Sequence, residues 1–149
     1  MGRTHCLVPA AIAAWLFGPD PTVLLISAGA GLFPDIDEPQ STIGYRVFLL
    51  AKWFKGLVGH RTYSHSLVGV MTAASLALIF DMPWRWIEAG LTGWGSHLVL
   101  DALSGGVPLW WPWYATTRER WVLARWKPFG FGDHLILVLA GVAFGAAAI

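Results

Sequence analysis

Short apolar segments, separated by polar connections rich in Pro and Gly, dominate this sequence and limit the folds open to it. Within the segments, small residues recur at helical spacing, as Gly69, Ala73 and Ala77 do, which favours closely packed helices over strands. We therefore predict one all-α domain over residues 1–149, a bundle of about five short helices. The predicted helical segments are 6–17, 22–33, 66–80, 86–103 and 134–149.

A further segment, residues 47–58, has a different character. It mixes Lys52 and Lys55 with aromatic residues, a pattern typical of an amphipathic helix that lies at a membrane interface. We expect this helix to flank the bundle and not to belong to its core.

The composition favours an integral membrane protein. Hydrophobic residues make up 56% of the chain and charged residues 13%, whereas soluble domains carry about 25% charged residues. The ten Trp fit a membrane–water interface, where an apolar ring with a polar N–H is favoured. Most of the apolar segments are shorter than the ~20 residues that cross a bilayer, so the number of crossings stays open. The alternative is a soluble domain with an extensive core.

The charge and cysteine content exclude other classes. A net charge of +1 gives no electrostatic basis for nucleic-acid binding, and the single Cys6 excludes an intrachain disulfide framework and a Cys-rich zinc site. Any metal would be bound by His and carboxylate side chains. Basic residues gather in two connections, which the positive-inside rule places in the cytoplasm: Arg46, Lys52, Lys55 and Arg61 in one, Arg118, Arg120, Arg125 and Lys127 in the other.

Ionisable residues within the apolar segments gather at the same end of the predicted bundle, the end with the basic connections. An unpaired polar group costs roughly 2–7 kcal/mol to bury, so these residues are expected to satisfy one another in one shared site. They are His5 at the start of the first helix, Asp35 and Asp37 at the end of the second, His60 and His65 at the start of the third, and His97 and Asp101 near the end of the fourth.

The spacing of these residues suits a metal ion. His97 and Asp101, at positions i and i+4, share one helix face, and an imidazole and a carboxylate converging there suit Zn²⁺ or a similar divalent ion. Seven side chains are more than one zinc ion coordinates, so the sequence is compatible with either one or two ions. Taken singly, the His97–Asp101 pair also fits a hydrogen-bonded pair, and the Asp35–Asp37 pair fits a turn or a cap.

Four ordered motifs resemble a known family. They are THCLVPAAIAA, LFPDIDEPQSTIGYR, GHRTYSHSLVG and GSHLVLDALSGGVPLWWPW, and they cover residues 4–113. Together they resemble the LexA-regulated (YdjM-type) inner-membrane metal-dependent hydrolases, and more distantly the zinc-dependent phospholipase C and single-strand nuclease folds. The resemblance implies metal ligation by the seven residues above. The chain departs from the family pattern at Thr62 and Ser64, within the GHRTYSH segment.

These observations lead to a functional hypothesis. We expect metal-assisted hydrolysis of a phosphoester, such as a phospholipid or lipid-linked phosphate, at the cytoplasmic surface of a bacterial inner membrane, with membrane lipid as the partner. Asp37, or Asp35 if Asp37 is a ligand, would orient or deprotonate a water. Arg61 and Arg46 would bind the anionic group.

Other readings remain open at this point. A non-enzymatic membrane component with a structural metal is the main alternative, and a bundle with satisfied polar caps is another. A transporter is disfavoured, because its ionisable groups would lie at several depths and not at one end.

Overall fold

The computed structural model describes residues 2–59, 61–113, 121–123 and 131–147. The regular secondary structure of these residues is helical, apart from one isolated bridge between Val107 and Trp121. This confirms the all-α class. The helices are α1 (Gly2–Phe17), α2 (Pro21–Leu32), α3 (Phe48–Val58), α4 (Leu67–Ile79), α5 (Trp84–Ser104) and α6 (Phe131–Ala147), with the 3₁₀ helices η1 (Phe33–Asp37) and η2 (Tyr63–His65).

Local sequence explains where two of the helices begin. Asp20 caps α2, because its carboxylate accepts hydrogen bonds from the backbone N–H groups of Thr22 and Val23 at 2.8 and 3.3 Å. Pro21 then occupies the first turn, where its missing N–H costs nothing. Ser66 caps α4 in the same way through the N–H of Gly69.

Helix α2 lies between α1 and α5, and glycine makes both contacts close. A Cβ on Gly31 would overlap the backbone carbonyl of His5 and the ring of Pro9 on α1. A Cβ on Gly93 of α5 would overlap the carbonyl oxygen of Ser27 on α2. Because glycine allows the backbones to approach, the polar ends of the three helices are brought together.

The elements place the predicted residues at one end of the bundle, with some differences in detail. His5 lies in the first turn of α1. Asp35 and Asp37 lie in η1, directly after α2 and not within it, because Pro34 opens a separate 3₁₀ turn. His65 ends η2, just before α4. The amphipathic segment 47–58 forms α3, and with the five predicted bundle segments it accounts for the six α-helices of the described residues.

The structure supports the predicted integral membrane bundle only in part. Among the described helices, none combines the length and the apolar character needed to cross a bilayer. Large apolar side chains nevertheless lie exposed on several helices, including Leu25, Ile79, Phe80 and Val142. An integral bundle is therefore unconfirmed. Except for residues 121–123, the basic stretch 118–127 on which the predicted orientation depends lies outside the described residues.

Candidate metal centre

Five side chains from four elements converge in the interior, and we call them the His/Asp cluster: His5, Asp35, His65, His97 and Asp101. The Nε2 atoms of His65 and His97 are 3.3 Å apart. Asp101 reaches His5 Nε2 and His65 Nε2, each at 3.5 Å. Asp35 lies 3.7 Å from His5 Nδ1 and 3.9 Å from His97 Nε2. All five therefore surround one small volume.

Hydrogen bonds fix which nitrogen each of two histidines turns toward the cluster. His97 Nδ1 lies 2.7 Å from the carbonyl oxygen of Gly31, and because a carbonyl only accepts, Nδ1 carries the proton. Ser64 donates its only hydroxyl hydrogen to Asp37 at 2.6 Å, so its oxygen accepts from His65 Nδ1–H at 3.0 Å. In the neutral rings, both Nε2 atoms are then unprotonated.

Two facing lone pairs repel unless a cation lies between them. Two nitrogens that each bind one tetrahedral zinc at about 2.0–2.1 Å would lie about 3.3 Å apart, which is the separation of the Nε2 atoms of His65 and His97. The geometry of this pair therefore fits a shared divalent ion.

Other cluster atoms are buried without hydrogen bonds. Within the described part of the chain, both ring nitrogens of His5 and both carboxylate oxygens of Asp101 have no hydrogen-bond partner. Arg61 Nη2 lies 3.0 Å from Asp101 Oδ2 as an ion pair, but in an orientation that does not make a hydrogen bond. Buried polar atoms of this kind require a physical reason, and metal coordination supplies one.

The charge of the site also favours a cation. The pKa of His97 is lowered from 6.5 to about 4, first by burial and then by the neighbouring His5, against the opposing effect of Asp101. Burial alone would raise the pKa of Asp35, but the nearby histidines, His5 foremost, outweigh it and lower the pKa. Counted by formal charge, with histidine neutral, Asp35, Asp37 and Asp101 bring three negative charges and Arg61 one positive charge, and one divalent ion would balance the difference.

Asp37 lies one layer outside the cluster. Its fully buried carboxylate accepts hydrogen bonds from the Arg61 backbone N–H at 2.8 Å and from Ser64. The first of these bonds helps to hold Arg61 in a left-handed conformation with φ of +51°. Asp37 is in neither of the residue groups that could bind an ion directly, and it instead fixes the segment that carries His65.

Two residues of the site are partly exposed. His5, His65, His97 and Asp101 are at most 1% exposed, whereas Asp35 is 17% and Arg61 23% exposed. Water or a substrate would therefore reach the site at Asp35 or at Arg61.

Two predicted site residues, Arg46 and His60, do not belong to the His/Asp cluster as described. Arg46 is exposed, and its guanidinium donates to the carbonyl oxygen of Thr42 at 2.8 Å. His60 lies outside the described residues. Sequence reasoning missed the supporting roles of Gly31 and Ser64, because a carbonyl acceptor and a lone serine carry no distinctive pattern.

Comparisons with known proteins give a consistent result. A family model described as "YdjM inner membrane protein" matches residues 1–148. The chain is 35% identical to YvsG of Bacillus subtilis (strain 168) over 142 residues, which cover 91% of this chain and 86% of that protein. It is 37% identical over 89 residues to the inner membrane protein YdjM of Escherichia coli (strain K12) and of Shigella flexneri, covering 54% of this chain and 44% of each relative. No solved structure matches.

Proposed function

Because the chain belongs to the YdjM inner membrane protein family, we propose that it is a membrane-associated metal-dependent hydrolase that cleaves a phosphoester. The observation that carries this proposal is the 3.3 Å separation of the Nε2 atoms of His65 and His97 inside the buried His/Asp cluster. The family supports the membrane location. The reaction and the substrate are our inference from the chemistry of the site.

One ion is proposed, with His5, His65, His97 and Asp101 as its ligands and Asp35 beside it as the carboxylate that accepts a proton. The two candidate groups share His97, and with Nδ1 engaged at Gly31 only one lone pair of this ring is available. The two groups therefore describe one site. Histidine nitrogens and carboxylate oxygens suit zinc. We assign Asp37, a predicted ligand, to holding His65 in place, as the outer partners of metal-binding histidines do.

The chain's own residues supply the rest of the chemistry. A bound divalent ion contributes Lewis acidity and a water whose pKa is lowered toward ~7. Asp35, the one partly exposed carboxylate of the cluster, is proposed to accept a proton from a water. Arg61 has five N–H donors, so it can bind a phosphate oxygen while Nη2 contacts Asp101. We propose that exposed Arg46 contacts the same anion at the membrane surface, on the cytoplasmic side of the inner membrane.

A structural metal site is the second candidate. The observation that favours it is the burial of His5, His65, His97 and Asp101, since closed sites bind metal without an open position. In that case the ion would tie together α1, η1, η2 and α5, and no substrate would turn over.

An activity measurement on purified protein in lipid nanodiscs separates the two. We expect zinc-loaded protein to release phosphorylated headgroup from phospholipid, and Asp35→Asn to lose roughly 10²–10⁴-fold of that rate, the usual contribution of a general base. Asp20→Asn is the matched control, because Asp20 only caps α2 at the other end of the bundle. Retained metal without release of headgroup or phosphate from any phospholipid would favour the structural site.

A further inference from the structure

An apolar groove of about 470 Å³ runs between α2, α4 and α5, open along one side. We call it the α2–α4–α5 groove. No charged side chain lines it, and small residues keep it wide: a Cβ on Gly90 would meet no atom within 4 Å. The residues that define it here are Phe33, Val70, Ala77, Trp86, Gly90 and Trp94.

One end of the groove lies next to the metal centre. Phe33 and Trp94 line this end, with their ring centroids 5.2 Å apart. Phe33 is the first residue of η1, which carries Asp35. Trp94 lies one turn before His97 on α5, and its Nε1–H donates to the carbonyl oxygen of Ser64 at 2.9 Å. A ligand that fills the groove would therefore end next to the His/Asp cluster.

The other end opens among exposed apolar residues. Ala77 and Trp86 line it, near the turn between α4 and α5, and the neighbouring Ile79 and Phe80 are 74% and 75% exposed. From Trp86 to Trp94, eight residues of helix rise about 12 Å. One leaflet contributes half of the ~30 Å hydrocarbon thickness of a bilayer, so the groove accommodates most of one lipid chain.

We propose that this groove binds one acyl chain of a membrane phospholipid, with the lipid phosphate at Arg61 and the His/Asp cluster. The inference deepens the proposed function and rests on it for the location of the phosphate. The occupant follows from the groove itself, which is lined by uncharged residues and lies at one end beside the exposed apolar residues Ile79 and Phe80. Each buried methylene contributes about fourfold to affinity, so the groove would select for chain length.

Photolabelling tests the orientation of the lipid. The probe is phosphatidylglycerol with a diazirine at the terminal carbon of one acyl chain, incorporated into phosphatidylcholine nanodiscs with the whole chain of the protein. A second probe carries the diazirine next to the ester. We expect the terminal label on peptides that contain Ala77 to Trp86, and the ester-proximal label on peptides that contain Phe33 or Trp94.

Two variants fill the α2–α4–α5 groove, and a control variant fills a separate groove. Gly90→Leu has free space for its side chain and improves helix propensity, and Ala77→Phe blocks the distal end. Each should reduce terminal labelling roughly tenfold, the effect of losing about two buried methylenes. Ala140→Phe is the control, because Ala140 lines a separate groove of about 330 Å³ between α1 and α6; it should leave labelling unchanged. Circular dichroism establishes that each variant is folded.

The outcomes distinguish this proposal from the proposed function, because labelling is measured on metal-free and zinc-loaded protein alike. Site-specific labelling that both filling variants reduce supports the groove, whether or not phosphate is released. Labels spread evenly over the exposed helices, or labelling that neither filling variant changes, would overturn it, even if hydrolysis is found.

Discussion

At the scale of single residues, the candidate centre depends on how two histidines are held. Gly31 fixes the ring of His97 through its carbonyl oxygen, and Ser64 with Asp37 fixes the ring of His65. Partners of this kind set the tautomer and the ring direction of a metal ligand. The metal chemistry of the site therefore extends to residues that do not touch the ion.

Ser64 and Ser66 form a matched pair for testing this. Ser64→Ala removes the acceptor of His65 Nδ1–H, and we expect zinc affinity to fall about 10–100-fold. Ser66→Ala removes the cap of α4, and we expect the free energy of unfolding to fall by about 0.5–2 kcal/mol with zinc affinity unchanged. Zinc titration and thermal unfolding of both variants measure this. Equal zinc affinity in the two variants would contradict the role of Ser64.

The lowered pKa of His97 predicts the pH dependence of the metal-free protein. The unfolded chain takes up a proton near pH 6.5, whereas folded His97 does so only near pH 4. Between these values the unfolded state binds more protons, so stability falls as the pH decreases, by up to about 3 kcal/mol from this residue. Denaturant unfolding in chelator at pH 7 and pH 4.5, on wild type and His97→Gln, measures it. An equal pH dependence in the two proteins would refute the assignment.

The residue-scale predictions from sequence succeeded where spacing and topology suffice. The i, i+4 spacing of His97 and Asp101 and the placement of His5, Asp35 and His65 at one end of the helices brought these five together correctly. The difference between Asp35 and Asp37 could not be predicted, because it depends on the 3₁₀ turn of η1 and on the hydroxyl of Ser64. Ligation by the individual residues stays a prediction.

At the scale of elements, the close contact of α2 with α1 and α5 positions the site. Gly93 lies against the backbone of Ser27, and Gly31 lies against that of His5. Sequence predicted the helices and the importance of small residues, but not which glycines lie at contacts. Gly31 and Gly93 are at contacts, whereas Gly95 has free space, because two residues along α5 turn it about 200° around the helix from Gly93.

Gly93→Ala and Gly95→Ala test this packing. A methyl group on Gly93 would overlap the Ser27 carbonyl, so we expect a loss of about 1–3 kcal/mol in the free energy of unfolding. Gly95→Ala meets no atom and should stabilise α5 by roughly 0.5–1 kcal/mol. Opposite shifts in the midpoint of thermal unfolding are the expected result. Shifts of the same sign would mean that α2 and α5 are not in close contact at Gly93.

At the scale of the whole molecule, a buried polar centre at one end of the bundle is combined with an apolar exterior. Leu25, Ile79 and Phe80 are each more than 70% exposed, which in a soluble monomer would be an unusual liability. Composition correctly indicated a membrane protein family. The apolar segments are too short to settle whether the chain crosses the bilayer, and none of the described helices is long and apolar enough to do so.

The exposed apolar residues and the low net charge predict how the protein binds the membrane. With a net charge of only +1, electrostatic attraction to anionic lipid is weak, and apolar contact must supply most of the binding. Washing membranes with 1 M salt, where the Debye length is about 3 Å, should leave the protein bound, and detergent should release it. Release by salt alone would show that the exposed apolar residues do not contact lipid.

The central claim is that the His/Asp cluster binds one divalent metal ion, and the metal content of the purified protein tests it most directly. The measurement is elemental analysis after purification in detergent under zinc-replete conditions, on wild type, His97→Ala, Asp101→Ala and the α5 control Glu88→Ala. We predict about one zinc per chain in wild type and in Glu88→Ala, and almost none in the two cluster variants. Folded wild-type protein without stoichiometric metal, or cluster variants that retain it, would contradict the account.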